Sequence, residues 1–441
     1  MGTFSILWAL VIVFITVFVY QIIKPFVRGK KNKLVWLVSI ISVCVYSGIG
    51  IAYSSIDKRY IIDFFIYILV LGISFALFSA VHFFTVKRHP YACLRPDVIE
   101  TKDAEFWDSE FAQKVFTSIF VLYFLFRFAS LVYPVNKLSS LSITYNAVNN
   151  LKNISGENTT IFISLASYIK PLAYIGMFYA LKKARYVAAF LGLDLLITLL
   201  YSGYLTRNLI ICALFIALLL YFNNDLSDLF ISLSEKKRRI VTMAGFLGPV
   251  VLYMMIYLMT IRTTGKGDWT IMSFFSSEID YPKHYAAIQG MAGQLMTPKD
   301  MLLHILDSFV PVIPTPGYTA NLNVIFSERI SGVKMEMSWF SVLLPSIMGE
   351  AELIFGRAFL WVHAIIIGFM MSVIDRLIGD NQKKIILYYY YLTCVMKAAR
   401  AGYAELSSTI MFNVIVTSLI IGVLKMLYGM FFAKRASGAS R

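Results

Sequence analysis

Long apolar runs separated by short polar gaps cover the chain from end to end. A typical run holds roughly 20 residues with few charges, the length of an α-helix that crosses a hydrocarbon core about 30 Å thick. A backbone in lipid must satisfy its own hydrogen bonds, so helices are expected and open sheets are excluded there. The pattern predicts an all-α, polytopic integral membrane protein. Eleven spans fit best, at about 4–23, 34–54, 61–84, 115–133, 161–181, 187–202, 208–222, 240–260, 354–377, 384–399 and 409–430.

The spans form one transmembrane domain, residues 1–441, interrupted by a single large polar excursion at about 261–353. The first apolar run has no basic leader and no A-x-A-like cleavage site, which favours a permanent helix over a signal peptide. Composition agrees, since 59% of residues are hydrophobic, 15% are charged and the mean hydropathy is +0.71. A soluble domain usually carries about a quarter charged residues.

The net charge of +15 indicates the topology of the chain rather than binding to nucleic acid, because the cations are concentrated in every second loop. Those loops contain Lys24, Arg28, Lys30, Lys31 and Lys33; Lys87, Arg88 and Arg95; Lys182, Lys183 and Arg185; Lys236, Lys237, Arg238 and Arg239; Arg376, Lys383 and Lys384; and Lys434, Arg435 and Arg441. Basic loops face the cytoplasm. This predicts an N-terminus on the outer side of the membrane, a cytoplasmic C-terminus and an excursion at 261–353 on the outer side.

Three arginines run against this bias and fall at the outer ends of spans: Arg207, Arg262 and Arg400, with Lys397 one turn before the last. Each could snorkel to lipid headgroups. Three arginines at the same outer level of the membrane instead favour binding of an anionic ligand, because guanidinium groups bind phosphate oxygens in a planar, bidentate way.

The sequence of the excursion predicts that this segment forms a lid over a cavity. TPKDMLLHILDSFV has Thr297 as an N-cap and Pro298 at the first helical position, with an apolar face that includes Leu302 and Leu303. This amphipathic helix is expected to lie on the membrane or on the helix bundle. SWFSVLLPSIMGEAELIFG is apolar but broken by Pro345 and Gly349, which predicts a re-entrant element.

Few residues at the outer face are suited to acid–base chemistry. His284 lies near a helix start and is the first candidate for a general base, and Glu350 in the re-entrant segment is the second. His304 is flanked by aspartates, which favours a solvated helix face. A metal site is not predicted, since Glu278 and Asp280 form only a lone E-x-D.

Two further cations lie within spans, Arg127 and Lys170, where a charge is costly unless it faces the protein interior. Two alternatives stay open. Either cation could extend the outer basic pocket, or it could pair with a neighbouring helix.

Four segments in order resemble the Wzy-type polymerases of lipid-linked oligosaccharide repeat units, as in O-antigen or enterobacterial common antigen synthesis. SGYLTRNLIICALF is similar to the family's Thr-Arg element at Arg207, and MTIRTTGKG, with Arg262, to the start of its large periplasmic loop. FVPVIPTPGYTANLNVIFSERISG followed by SWFSVLLPSIMGE is similar to the end of that loop. KAARAGYAEL resembles the A-R-x-G element, matching Arg400 and Gly402. The resemblance covers about residues 200–410.

The resemblance implies a glycosyltransferase of the bacterial inner membrane. It would move a growing glycan from undecaprenyl pyrophosphate onto an incoming lipid-linked unit at the periplasmic face. No nucleotide sugar, cofactor or metal is implied. Arg207, Arg262 and Arg400, with Lys397, would bind pyrophosphate, and His284 or Glu350 would act as the base. Expected partners are the lipid-linked oligosaccharides and membrane lipids, not nucleic acid, and binding of a chain-length regulator is left open.

Two other hypotheses remain. An O-antigen ligase would share the outer arginines and the large loop, so the sequence separates it poorly from a polymerase. A flippase or other transporter commonly shows two related halves. This chain has one large excursion and no evident internal repeat, which counts against transport.

Overall fold

The computed structural model describes residues 6–27, 30–49, 59–88, 105–135, 157–181, 287–309, 322–334, 343–378, 385–402 and 411–431, and residues 186–194 except 188 and 192. Every regular element in this described part is helical, and none is a strand. The predicted all-α class is therefore confirmed for these residues. The predicted spans at 208–222 and 240–260 lie outside the described residues.

The α-helices, in chain order, are α1 (Ile6–Ile23), α2 (Lys30–Val43), α3 (Arg59–Arg88), α4 (Glu110–Val135), α5 (Glu157–Ala180), α6 (Pro298–Phe309), α7 (Leu322–Ser331), α8 (Ser346–Phe355), α9 (Leu360–Ile378), α10 (Ile385–Ala401) and α11 (Thr417–Phe431). A π-helical segment, Cys44–Gly48, continues α2, and a second, Met411–Val416, leads into α11. A 3-10 turn, Arg357–Phe359, precedes α9.

Four stretches of the described part are long and apolar enough to cross a membrane: Arg59–Ala80, Glu110–Phe128, Arg357–Ile378 and Asn413–Met430. Large apolar side chains are also exposed on these helices and on α1, as at Phe14, Ile62 and Phe369. Lipid would cover them, because water makes such exposure unfavourable. Transmembrane character is supported, whereas eleven spans and the orientation of the termini stay predictions.

The chain forms two compact units. The first comprises Met1–Tyr91, Thr270–Leu377 and Tyr390–Ile415. The second comprises Ala92–Trp269, Ile378–Tyr389 and Val416–Arg441.

Helices α3 and α9 pack in parallel within the first unit. Tyr67 meets His363 near the start of both helices, and Arg376 donates a hydrogen bond to the Phe78 carbonyl near their ends. Between these contacts, a Cβ on Gly368 would lie 2.7 Å from the Ser74 Cβ, so glycine permits the close approach. The charge pattern predicts this shared direction for the two spans.

The part of helix α10 from Tyr390 onward lies in the same unit and runs antiparallel to α9. The Tyr391 hydroxyl donates to the Met371 carbonyl at 2.7 Å, so Tyr391 lies beside the later part of α9. Toward its other end, Ala398 and Ile367 line one small cavity. The C-terminal turn of α10 is thereby directed back toward the start of α9.

In the second unit, α4 packs closely on α5. A Cβ on Gly176 would lie 2.0 Å from the Phe116 carbonyl oxygen, so no larger residue fits there without movement. The aromatic rings of Phe116 and Tyr179 stack beside this contact, 5.8 Å apart, and Trp107 stacks on Phe116 at 5.5 Å. Backbone proximity and ring stacking together set the register of the two helices.

Helix α6 begins as predicted. The Asp300 amide donates to the Thr297 hydroxyl at 3.3 Å, and the Thr297 amide and hydroxyl donate to the Asp300 carboxylate at 2.9 and 2.7 Å. Those bonds from Thr297 lower the pKa of Asp300. Of the two surfaces predicted for its apolar face, the membrane and the helix bundle, neither is excluded by the packing of α6. Leu302 and Leu303 are exposed, whereas Met301, which the pattern leaves off that face, is buried, and α6 packs against α8.

Candidate functional site

The short helix α8 is enclosed within the first unit. Residues Ser346 to Ile354 are all buried, although the segment contains two carboxylates. The interruption predicted at Pro345 is confirmed, since the helix starts immediately after it. The interruption predicted at Gly349 is wrong: Gly349 lies inside the helix, which ends only at Gly356, where φ is 70°. Burial outweighs glycine's weak helix preference of about 1 kcal/mol.

The N-terminus of α8 is fixed by serine hydroxyls. Ser346 has a φ of 65°, and among the described residues it is the one non-glycine position with positive φ. Its hydroxyl accepts hydrogen bonds from the Gly349 amide at 3.3 Å and from the Ser47 hydroxyl at 3.1 Å. At the other end of α8, the Leu353 carbonyl accepts from the Gly293 amide at 2.8 Å. Contacts at both ends therefore hold the helix in place.

Glu350 lies against the backbone of Gly402. Glu350 is only 2% exposed, and a Cβ added to Gly402 would lie 1.9 Å from the Glu350 Oε2 atom. Gly402 also has a φ of +86°, and its amide donates to the Ala398 carbonyl at 2.7 Å as α10 ends. Glycine is required here both for the backbone conformation and for the space that the carboxylate fills.

The structure thus brings together two segments that the sequence keeps about 50 residues apart. Arg400 and Lys397 lie in the last turns of α10, three residues apart and so on neighbouring positions of one helix face. Both are partly buried, and Gly402 is two residues after Arg400. A cation in this turn also suits the partial negative charge of a helix C-terminus. The candidate site is the carboxylate of Glu350 beside the A-R-x-G element of Arg400 and Gly402.

Gly402→Ala is expected to lower any activity that depends on the Glu350 carboxylate by on the order of a hundredfold, the loss that a displacement of about 1 Å can cause at a reacting group. The new methyl group would displace the Glu350 carboxylate, which is enclosed and has little room to move. The measurement is the glycan ladder, the readout of the function proposed below, at matched protein abundance.

Gly422→Ala is the control for this change, since a Cβ there meets no atom within 4 Å. It should retain the activity of the wild type. Wild-type activity of Gly402→Ala would show that the carboxylate's position beside α10 does not matter for function.

Three groups near this site are absent from the sequence-based predictions. Glu352 is 1% exposed and is the second carboxylate of α8. Tyr67 and His363 are both fully buried and are joined at 3.0 Å between the Tyr67 hydroxyl and His363 Nδ1. A lone histidine within the apolar run LWVHAIIIGFMM is the signal that could have identified His363, because polar groups in a span are costly.

An ion pair lies one helical turn before Tyr67. Arg357 Nε donates to the Asp63 carboxylate at 2.5 Å, joining the starts of α3 and α9. Arg357 is more than a third exposed, so this pair adds little to stability. It joins the same two segments of the chain as the contact between Tyr67 and His363.

The second unit contains a buried charge cluster around Asp194. The carboxylate accepts from Arg127 Nε at 2.8 Å and pairs with Lys170 Nζ at 3.2 Å. The hydroxyls of Tyr123 and Tyr174 each donate to it at 2.6 Å. Of the two alternatives for Arg127 and Lys170, the structure supports pairing with a neighbouring helix. Asp194 itself is missing from the sequence-based predictions.

The remaining predicted site residues, Arg207, Arg262 and His284, lie outside the described residues, as do Glu278 and Asp280. Within the described ranges, no group of three or more His, Cys, Asp or Glu side chains could hold a metal ion. No family model, curated protein or solved structure matches the chain.

Proposed function

We propose that this chain is a membrane glycosyltransferase that polymerises undecaprenyl-pyrophosphate-linked oligosaccharide repeat units at the periplasmic face of the bacterial inner membrane. The observation that supports it most is the contact of Glu350 with Gly402, two residues after Arg400. A carboxylate able to accept a proton and a cation able to bind phosphate belong to adjoining elements. These are two of the functional groups that such a transfer requires.

The reaction transfers a glycan between two lipid-linked molecules. The base removes the proton from a hydroxyl of the incoming repeat unit, and that oxygen forms a bond to the anomeric carbon of the growing chain. The bond from this carbon to the pyrophosphate oxygen breaks, and undecaprenyl pyrophosphate leaves with the electron pair. His284 is the first candidate for the base that takes this proton, and Glu350 is the second.

Arg400, Arg207 and Arg262 are proposed to bind the pyrophosphate and to stabilise the charge that develops on it as the bond breaks. Lys397 is one turn before Arg400 and is proposed to contribute a second contact. The chemistry needs no redox group or nucleotide sugar, because the pyrophosphate lipid is itself the leaving group.

A strain that lacks this chain tests the proposal through its lipopolysaccharide profile. The expected result is a core carrying one repeat unit, since units are still made and transferred but not joined. A bare core would indicate a ligase or a flippase instead, and an unchanged ladder would reject all three functions. With purified protein in vesicles, the lipid-linked unit should be converted into multiples of itself without any lipid A core acceptor.

A further inference from the structure

The capped helix α6 presents two leucines and a lysine on its outward side. Leu302 is 57% exposed, Leu303 is 38% exposed, and Lys299 is exposed as well. At about 100° per residue, these three side chains project within an arc of roughly 100°, with Lys299 between the two leucines. Met301 projects from roughly the opposite side, where it is buried. One side of α6 is therefore packed within the protein, and the other carries an apolar surface with a cation beside it.

Contacts with α8 place α6 near the end of a membrane-crossing stretch. Helix α6 packs against α8, and the Gly293 amide, five residues before α6, donates to the Leu353 carbonyl at 2.8 Å. The apolar stretch Arg357–Ile378, which is long enough to cross a membrane, begins four residues after Leu353. Five residues of chain span at most about 17 Å, so α6 starts close to the level at which this stretch begins.

The start of that stretch carries the side chains expected where a membrane meets water. Phe359 and Trp361 are large aromatic side chains that remain exposed, and Arg357 beside them is more than a third exposed. Tryptophan is enriched at the level of the lipid headgroups, and arginine side chains extend to the phosphates from there. The charge pattern of the loops makes this end of the stretch the outer one. These features place the start of α6 near the outer headgroups.

We propose that α6 is an interfacial helix that docks on the outer leaflet of the membrane, with Leu302 and Leu303 among the lipid acyl chains and Lys299 at the lipid phosphates. Burial of the leucines in hydrocarbon removes apolar surface from water, which drives the docking. The lysine stem lies along the apolar surface while its ammonium group reaches the phosphates. The neighbouring Asp300 carboxylate is engaged by the amide and hydroxyl of Thr297, at the capped end of the helix.

Docking of α6 connects the membrane surface to the buried helix α8. Because α6 packs on α8 and Gly293 is bonded to Leu353, the outer leaflet holds the segment that carries Glu350 at a fixed depth. The docking itself does not depend on the proposed glycosyl transfer, so it is measured without any assay of activity.

Electron paramagnetic resonance tests the docking on the full-length protein in vesicles of phosphatidylethanolamine and phosphatidylglycerol. The four native cysteines are first replaced by alanine: Cys44, Cys93, Cys212 and Cys394. A nitroxide is then attached at Leu302→Cys or at Leu303→Cys, two exposed positions where the label displaces no packed side chain. We expect oxygen, which concentrates in hydrocarbon, to relax each label several-fold more than a water-soluble nickel chelate does.

Arg329→Cys is the matched control, because Arg329 is an exposed, charged residue on α7, a helix of the same excursion. The chelate should relax a label there more than oxygen does. Stronger relaxation by the chelate at 302 and 303 as well would show that the leucines face water. Weak relaxation by both reagents would show that another protein surface covers the leucines. Either result would overturn the proposal.

Leu303→Asp tests whether the leucines themselves drive the docking. A carboxylate is unfavourable among acyl chains, so the label at 302 should move toward water and its ratio of oxygen to nickel relaxation should fall several-fold. Leu303→Phe stays apolar and should leave the ratio unchanged. A ratio that stays high in Leu303→Asp would mean that packing on α8 alone sets the depth of α6, and the leucines would lose their proposed role.

Discussion

Arg400→Ala is expected to abolish polymer formation while the protein remains inserted and abundant. The guanidinium is proposed to bind the pyrophosphate and to stabilise charge as the anomeric bond breaks. Removing one such donor costs roughly a hundredfold to a thousandfold in rate. Arg400 is partly buried at the end of α10, so an effect on the fold has to be measured beside the effect on the product. The measurements are the glycan ladder and the amount of protein in the membrane.

Arg400→Lys separates charge from geometry. Lysine keeps the positive charge but lacks the planar pair of donors that binds two phosphate oxygens at once. We expect short products and a reduced rate rather than complete loss. A normal ladder from Arg400→Ala would refute the role in pyrophosphate binding, and loss of the protein from the membrane would assign Arg400 to structure.

The helices were the most predictable part of this molecule. An apolar run of about 20 residues has few alternatives once lipid surrounds it, because only a helix satisfies the backbone there. Helices α3 and α9 accordingly occupy predicted spans. The start of α6 was also predictable, since Thr297, Pro298 and Asp300 are adjacent in sequence and specify a capped helix locally.

Contacts between distant segments could not be predicted in the same way. Nothing local to Glu350 indicates that Gly402 leaves space for its carboxylate, because the contact depends on how α8 and α10 pack. Gly349 illustrates the opposite error. Its weak helix preference indicated a break, but burial of α8 on all sides outweighs a local preference of about 1 kcal/mol.

Asp194 was missed for a related reason. The cations Arg127 and Lys170 stand out because charges are rare in spans, but a partner on another helix cannot be assigned from spacing. The apolar residues around Asp194 do mark it as costly in a span, which is a signal that the sequence contains. The structure adds the two tyrosines that complete its hydrogen bonds.

Asp194→Asn is expected to destabilise the second unit by about 3 to 5 kcal/mol, the usual cost of breaking a buried ion pair from one side. The substitution nearly preserves volume but removes the charge that Arg127 and Lys170 share. The asparagine amide would also place hydrogens where the carboxylate accepted four bonds from cations and hydroxyls. The measurement is the amount of folded protein in detergent after heating, with abundance in the membrane as a second readout.

Lys170→Met separates loss of charge balance from loss of contacts. It leaves Arg127 and Asp194 as a balanced pair at 2.8 Å, and Lys170 is the more exposed of the two cations. Its methylene stem is replaced by a side chain of similar length, so we expect a loss below about 1.5 kcal/mol, as for volume-conserving changes. Combining Lys170→Met with Asp194→Asn should recover part of the stability lost in Asp194→Asn. In the double variant only one buried cation, Arg127, is left without the negative charge of Asp194, instead of two. Equal stability of Asp194→Asn and the wild type would show that the cluster does not hold α4 and α5 to the segment that carries Asp194.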